Sequence, residues 1–226
     1  MTGPKFSPRD RFILELLPKL DGVTREDTPD GRFYRVPKDD GTSGLYPSVT
    51  TVLGRTADKR WLDRWRSRVG DVEADRVSHV ARSRGKALHE ALEAYVLNRD
   101  LPSMMPDIAV DVGAARRALD VGLTRVYGSE HFLYSHELRA AGTADLIGLW
   151  DAMPAVIDFK TAKDVKREDD ILDYFIQATA YAWMVEERYQ MPIVNVVILL
   201  MNGCAWPQKI VRPVKDYVSL VRDRFS

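Results

Sequence analysis

The chain has few of the residues that would staple or anchor it. It has one cysteine, Cys204, so no internal disulfide can form, and a lone thiolate builds neither a zinc site nor an iron–sulfur cluster. It has no long hydrophobic run: the longest apolar stretch, Ile193 to Met201, is broken by Asn195 and falls well short of a membrane span. Near the start, Phe12-Ile13-Leu14 is flanked by charges and is too short for a signal sequence. It has no charge excess, since 33 basic residues balance 33 acidic ones. A polyanion must therefore be met by a local patch rather than by the global field. There is no internal repeat and no low-complexity tract. What remains is 226 residues, 45% hydrophobic and 29% charged, which fits one ordinary globular domain with a core, with or without an appendage. A cytoplasmic setting and no membrane contact are expected.

Ser7 or Asp10 is placed to cap a short helix through Leu20, stopped near Asp21-Gly22. Gly31 to Val36 reads as a strand. "PKDDGTSG" is a turn-rich connector, and Leu45 to Val52 reads as a second strand or an extended entry. Helices are expected over Asp58 to Val69, Val72 to Asn98 and Ile108 to Tyr127. In the second of these, Val77, Val80, Ala81, Leu88, Leu92 and Tyr95 recur at a spacing of three to four. The period then changes. His131 to Leu138, Thr143 to Leu149 and Ala155 to Thr161 read as strands, and their tight joins, "RAAG" and "WDAMP", imply antiparallel neighbours. Glu168 to Tyr189 is an amphipathic helix, followed by strands at Pro192 to Met201 and Gln208 to Arg212. The expected fold class is α/β, a small mixed central sheet flanked by helices. It forms one domain over 1–226, with 1–70 a hairpin and basic helical appendage and 71–226 the core.

The stretch "AVIDFKTAKD", residues 155 to 164, carries the chemistry. Side chains of a strand alternate, so Asp158 and Lys160 point the same way from an otherwise apolar segment. The pair is either a solvated strand end or chemistry on a rigid mount. Asp145 lies in the preceding strand, in "GTADLIGLW". If the two strands pair, Asp145 and Asp158 come close. Two such carboxylates are relieved by protonation or by a hard cation such as magnesium, which takes oxygen ligands at roughly 2.1 Å. The carbonyl of Phe159 would add a further ligand, and Lys160 would hold or activate a water. Together these are the parts of metal-assisted phosphodiester hydrolysis.

"GTAD", "VIDFKTAK" and "QATAY" (Gln177 to Tyr181), in that order, resemble the PD-(D/E)xK nuclease superfamily, in its RecB-like exonuclease branch. "RGKALHE" around His89 is similar to that branch's upstream helical histidine. "YPSVTTVLG" (Tyr46 to Gly54) is similar to the start of phage exonucleases related to the mitochondrial genome maintenance exonuclease. The resemblance spans roughly residues 45 to 185. It implies a restriction-endonuclease-like core, with His89, Asp145, Asp158 and the Phe159 carbonyl as metal ligands and Lys160 as the catalytic lysine. It implies substrate contacts at Gln177, Tyr181 and Arg84, with Glu137 and Thr161 in supporting places. It further implies magnesium, with manganese substituting. The absence of a C-terminal cysteine cluster sets the chain apart from the iron–sulfur branch, which includes the CRISPR-associated exonucleases.

Each of these residues has a plainer role. A histidine on an amphipathic helix is ordinarily packed or solvated, Gln177 is an ordinary polar helix residue, and Tyr181 suits a core. Ser48 and Thr50 suit a strand, or their hydroxyls contact a phosphate. Arg55, Lys59, Arg60, Arg64, Arg66 and Arg68, interleaved with Trp61 and Trp65, match a single-strand track. The tryptophans fit better as the buried face of that helix, leaving Arg64 and its neighbours to line an entrance. The expected function is a magnesium-dependent DNA exonuclease acting on single-stranded or frayed ends in phage or bacterial recombination, replication or repair. It is expected as a monomer that works with partner proteins. The competing readings are a structure-specific endonuclease on the same core and a DNA-end-binding module with little turnover.

Overall fold

The computed structural model describes residues 11–56 and 60–226, the side chains of residues 61 and 62 aside. Ser7, Asp10, Asp58, Lys59 and the Trp61 side chain, on which expectations were placed, lie outside the described residues. The expected helix through Leu20 is not formed over the described part. Ile13–Leu14 instead makes a short strand, β1, and the N–H groups of Glu15 and Leu17 donate to the carbonyls of Val126 and Tyr127. The segment finds its backbone partners on the edge of a sheet, and only Phe12 is buried.

A small antiparallel sheet follows: β2 (Thr24–Thr28), β3 (Gly31–Pro37) and β4 (Ser43–Pro47). β2 carries no hydrophobic alternation. It is held by its ladder and by charges, with Arg25 on Asp27 and Arg35 on Glu26. The expected strand from Leu45 to Val52 is in fact a strand and then a helix, α1 (Val49–Thr56). Ser48 causes the change. Its Oγ accepts the Thr51 N–H at 3.0 Å and its carbonyl accepts the Val52 N–H at 3.0 Å. This N-cap outweighs the strand preference of Val49, Thr50, Thr51 and Val52.

Helices α2 (Arg60–Val69) and α3 (Asp71–Val96) meet at Gly70, whose φ of 83° suits glycine. The C-terminal part of α3 enters the main core through Leu88, Ala91, Leu92, Tyr95 and Val96, while Ala74 near its start is buried apart from that cluster. Val77 and Val80, placed on the buried stripe by their spacing, are 38% and 53% exposed. Helix α4 (Pro106–Gly122) ends five residues before the expected Tyr127, because Gly122 lies against the Trp150 indole and Leu123 turns extended. The main strands then follow: β5 (Leu123–Ser135), β6 (Ala140–Trp150) and β7 (Met153–Thr161). After a single 3-10 turn at Glu168–Ile171 come α5 (Leu172–Tyr189), β8 (Asn195–Met201), β9 (Gln208–Pro213) and a closing helix, α6 (Val218–Phe225).

The central sheet has the order β1-β5-β6-β7-β8-β9. β1 with β5 and β7 with β8 are parallel, and the other pairs are antiparallel. Helices α1, α5 and α6 cover one face. Helices α3 and α4 cover the other, where Ala155, Ile157 and Phe159 of β7 point. The protein is thus a mixed α/β sandwich with a central mixed sheet and a small N-terminal sheet. No helix among the described residues is long and apolar enough to cross a membrane.

Two glycines test this packing with opposite signs. Gly148 pairs with Val126 and Ala155 inside β6, and a Cβ there would press into the backbone carbonyl of Arg125, which cannot rotate away. Gly148→Ala should destabilise the protein by about 1–3 kcal/mol. Gly54, in α1, has open space around it, and Gly54→Ala should stabilise it by about 0.5–1 kcal/mol. Urea unfolding of both variants measures this, and a neutral Gly148→Ala would show the strand packing to be misassigned.

Candidate active site

The site begins where a ladder stops. β6 and β7 pair from Trp150 and Met153 up to Leu146 and Ile157, and no further. At the next rung the Asp145 side chain takes over: its Oδ2 accepts the Phe159 N–H at 2.8 Å. On its other side β7 stays paired with β8 as far as Thr161 and Met201. Asp158, Phe159 and Lys160 are therefore clamped along one edge and released along the other. That is a rigid mount with a free side.

On this mount Lys160 Nζ lies 2.6 Å from each carboxylate oxygen of Asp158. The contact with Oδ1 is a hydrogen bond. Oδ2 is buried and receives the charge without an aligned hydrogen bond. Gln177, on α5, donates to Asp158 Oδ1 at 3.2 Å. The ring of Tyr174, one helical turn earlier, lies 5.2 Å from Lys160 Nζ. Burial alone pulls the Lys160 pKa down, but the charges of Asp158 and Asp145 outweigh it, and the ammonium is held above its ordinary value.

His89 arrives from α3. Its Nε2 is 3.2 Å from the Phe159 carbonyl oxygen, and its Nδ1 is 3.1 Å from Glu130 and 3.5 Å from Asp145. Burial opposes a charge on the ring, yet the hydrogen bond to Glu130 and the charges of Asp145 and Glu130 push its pKa up to about 9. Burial and the neighbouring Asp158 raise Asp145 to about 7, against the relief given by Lys160, His89 and the Phe159 N–H. Tyr181 is buried, and its pKa is raised by that burial and by the two aspartates. Its hydroxyl fills the space a side chain at Gly142 would need.

His89, Glu130 and Asp145 each offer a ligand atom, all within 4.8 Å of one another, with the Phe159 carbonyl alongside. One imidazole nitrogen among carboxylate and carbonyl oxygens fits a divalent cation that prefers oxygen, though nothing in it selects magnesium over manganese. Of the ligand set expected from sequence, His89, Asp145 and the Phe159 carbonyl come together. Asp158 stands beside them, tied to Lys160. Glu130 was missed. It lies between Ser129, paired with Leu146, and His131, paired with Ala144, and so sits across from Asp145. The turn before β6 is residues 136–139, not "RAAG", and the correct turn would have put Glu130 on that rung.

The remaining candidates lie elsewhere or serve the scaffold. Glu137 is in that turn and accepts the Trp183 indole N–H at 3.1 Å. Arg84 is held by Asp107 at 3.0 Å and by the buried Asp111 at 2.7 Å, which joins α3 to α4. Thr161 is half-buried at the end of the β7–β8 ladder. Ser48 is buried and bridges to Ala141, four residues from Asp145, while Thr50 beside it is exposed. Arg64 is exposed on α2, and Arg66 is taken up by Asp71 and Asp75.

The sequence matches no protein-family profile, and no curated protein resembles it closely enough to count as a relative.

The two raised pKa values set a pH test. Asp145, at about 7 in the fold against 3.8 for a free aspartate, stabilises the fold by its proton fully below about pH 3.8 and loses that contribution as pH rises through 7. His89, at about 9 against 6.5, contributes fully below 6.5 and loses it as pH rises through 9. A divalent cation must displace both protons, so in thermal melts manganese should raise Tm more at about pH 9 than at about pH 6, relative to a chelator. Glu130→Gln should shrink that rise and Glu137→Gln should leave it intact. Equal rises in both variants would remove Glu130 from the site.

Proposed function

We propose that the chain is a metal-dependent nuclease of the PD-(D/E)xK, RecB-like kind, an exonuclease that hydrolyses DNA from single-stranded or frayed ends. The observation that carries this reading is the pairing, on one free strand edge, of a cation-binding His89–Glu130–Asp145 cluster with an adjacent Asp158–Lys160 ion pair. Either alone is common in proteins. Together they supply a place for a cation and a fixed positive group next to it, which is what an anionic phosphodiester requires when its negative charge grows. Magnesium, with manganese substituting, is the cofactor of this reading. Phage or bacterial recombination, replication or repair is its setting, with protein partners in those processes.

When bound, a divalent cation would polarise the phosphate and make its water a better nucleophile. His89, Glu130, Asp145 and the Phe159 carbonyl would hold it. Lys160, kept cationic by Asp158, donates hydrogen bonds. It orients the attacking water toward phosphorus and neutralises charge on the non-bridging oxygens as the P–O bond breaks. Gln177 fixes the Asp158 carboxylate, and so the position of Lys160 at one remove. The Tyr174 ring lies beside the ammonium, its centre 5.2 Å from Nζ, and its face favours the charged form.

Two measurements test the reading. Lys160→Ala and Asp158→Ala should each lower DNA hydrolysis in magnesium by at least about 10²–10³-fold, with the circular dichroism spectrum unchanged. A folded variant cutting at the parental rate would dismiss the assignment. Linear single strands should be degraded to acid-soluble nucleotide while closed single-stranded circles of the same sequence resist. Rapid loss of the circles would favour the endonuclease reading.

A further inference from the structure

A group of arginines stands at the turn end of the β5–β6 hairpin, away from the cation cluster at its middle. An open cavity of about 440 Å³ lies where the end of α1, the hairpin turn and the end of α6 meet. Its apolar wall includes Tyr46, Leu138 and Phe225, and its rim carries Arg55, Arg139 and Arg224. Among the described residues, many arginines spend their charge on a carboxylate, as Arg25, Arg35, Arg66, Arg76, Arg84, Arg125 and Arg212 do. Arg55 and Arg139 have no carboxylate partner among the described residues, and Arg224 shares a long 3.5 Å contact with Asp173 while bonding Thr56 at 2.6 Å. Arg139 also occupies a left-handed backbone position, φ 50°, in a hairpin turn where glycine or asparagine sits without strain. The chain thus places a long cation where the backbone favours a small residue.

We propose that this cavity anchors a single-stranded DNA segment that extends away from the cleavage site, with the arginines on its phosphates and the apolar wall against a base. The inference rests on the nuclease reading given above. Its geometry follows the hairpin: Asp145 and Ala140 are five residues apart on β6, about 17 Å. Ser48, with the exposed Thr50 next to it, bridges to Ala141 on the way. A strand leaving the cluster in that direction crosses the exposed Thr50, above the buried Ser48 and β6, and reaches the arginines. Phosphate contact plus stacking on an apolar surface is the mode by which proteins track single strands without reading sequence.

The test uses the whole chain carrying Arg55→Gln and Arg139→Gly together. The second change suits the left-handed turn, and thermal unfolding checks that the fold is kept. Binding is read by fluorescence anisotropy in calcium, with a labelled single strand of about twelve nucleotides, within the span such tracks cover. The labelled dinucleotide and a phosphorylated peptide serve as comparison probes. The double variant should bind the long strand at least about tenfold more weakly and with a shallower salt dependence. Its hydrolysis of the dinucleotide in magnesium should equal that of the parent. Unchanged affinity for the long strand, with the parent still an active nuclease, would overturn the anchor and leave the nuclease reading standing. A parent that neither binds nor cuts any strand would overturn both. Tighter binding of the phosphopeptide than of the strand, lost in the double variant, would give the cavity to a protein partner and overturn the proposal.

Discussion

The hydrogen bond from the Phe159 N–H to the Asp145 carboxylate is the constraint on which the site depends. A strand ladder satisfies backbone groups in pairs, and where β6 and β7 part, those groups need new partners. Asp145 supplies one and in doing so is drawn from solvent into the gap. Its burial raises its pKa, brings it within reach of His89, and leaves the Phe159 carbonyl facing the imidazole. One replaced backbone bond thus sets the place of an acid, a base and a carbonyl.

The two halves of the site are held by opposite layers of the fold. His89 comes from α3 on one face, and Gln177 and Tyr174 come from α5 on the other. β7 between them is packed on both faces and paired with β8, so neither half can shift without disturbing the core. Arg84 extends the same logic outward. Its ion pair with the buried Asp111 ties α3 to α4, and Asp111 in turn accepts the N–H of Gly203 in the loop after β8. The residue expected at the substrate braces the helix that carries His89.

Sequence patterns revealed the parts of the fold that local periodicity controls. The strand from Ala155 to Thr161 was legible because continuous apolar residues and a period of two leave little choice, and that alone aligned Asp158 with Lys160. Helix α5 was legible from its own period, apolar residues recurring every three to four positions. The misses occurred where two local preferences compete or where the partner is remote. Val49 to Val52 has strand chemistry, and one serine hydroxyl turned it into a helix. Val77 and Val80 keep helical spacing on a helix whose first half leaves the core, which no periodicity reveals. Glu130 depended on the placement of the turn after β5. Moving the turn from "RAAG" to residues 136–139 changes which residue stands across from Asp145.

The connection from β7 through α5 to β8 has a consequence for how the protein comes into being. β5 and β6 form a hairpin of neighbours, which closes a short loop and costs little chain entropy. β7 and β8 lie parallel, and the whole of α5 must be in place before they meet. His89 and Phe159 are 70 residues apart in sequence. Long-range contacts of this kind form slowly, because closure entropy is lost before the contacts repay it. On a nascent chain, then, the hairpin bearing Glu130 and Asp145 can assemble well before the strand bearing Asp158 and Lys160 is locked against β8. The cluster stays incomplete until residue 201 has been made and docked, so its groups come together only once the fold around them is nearly closed.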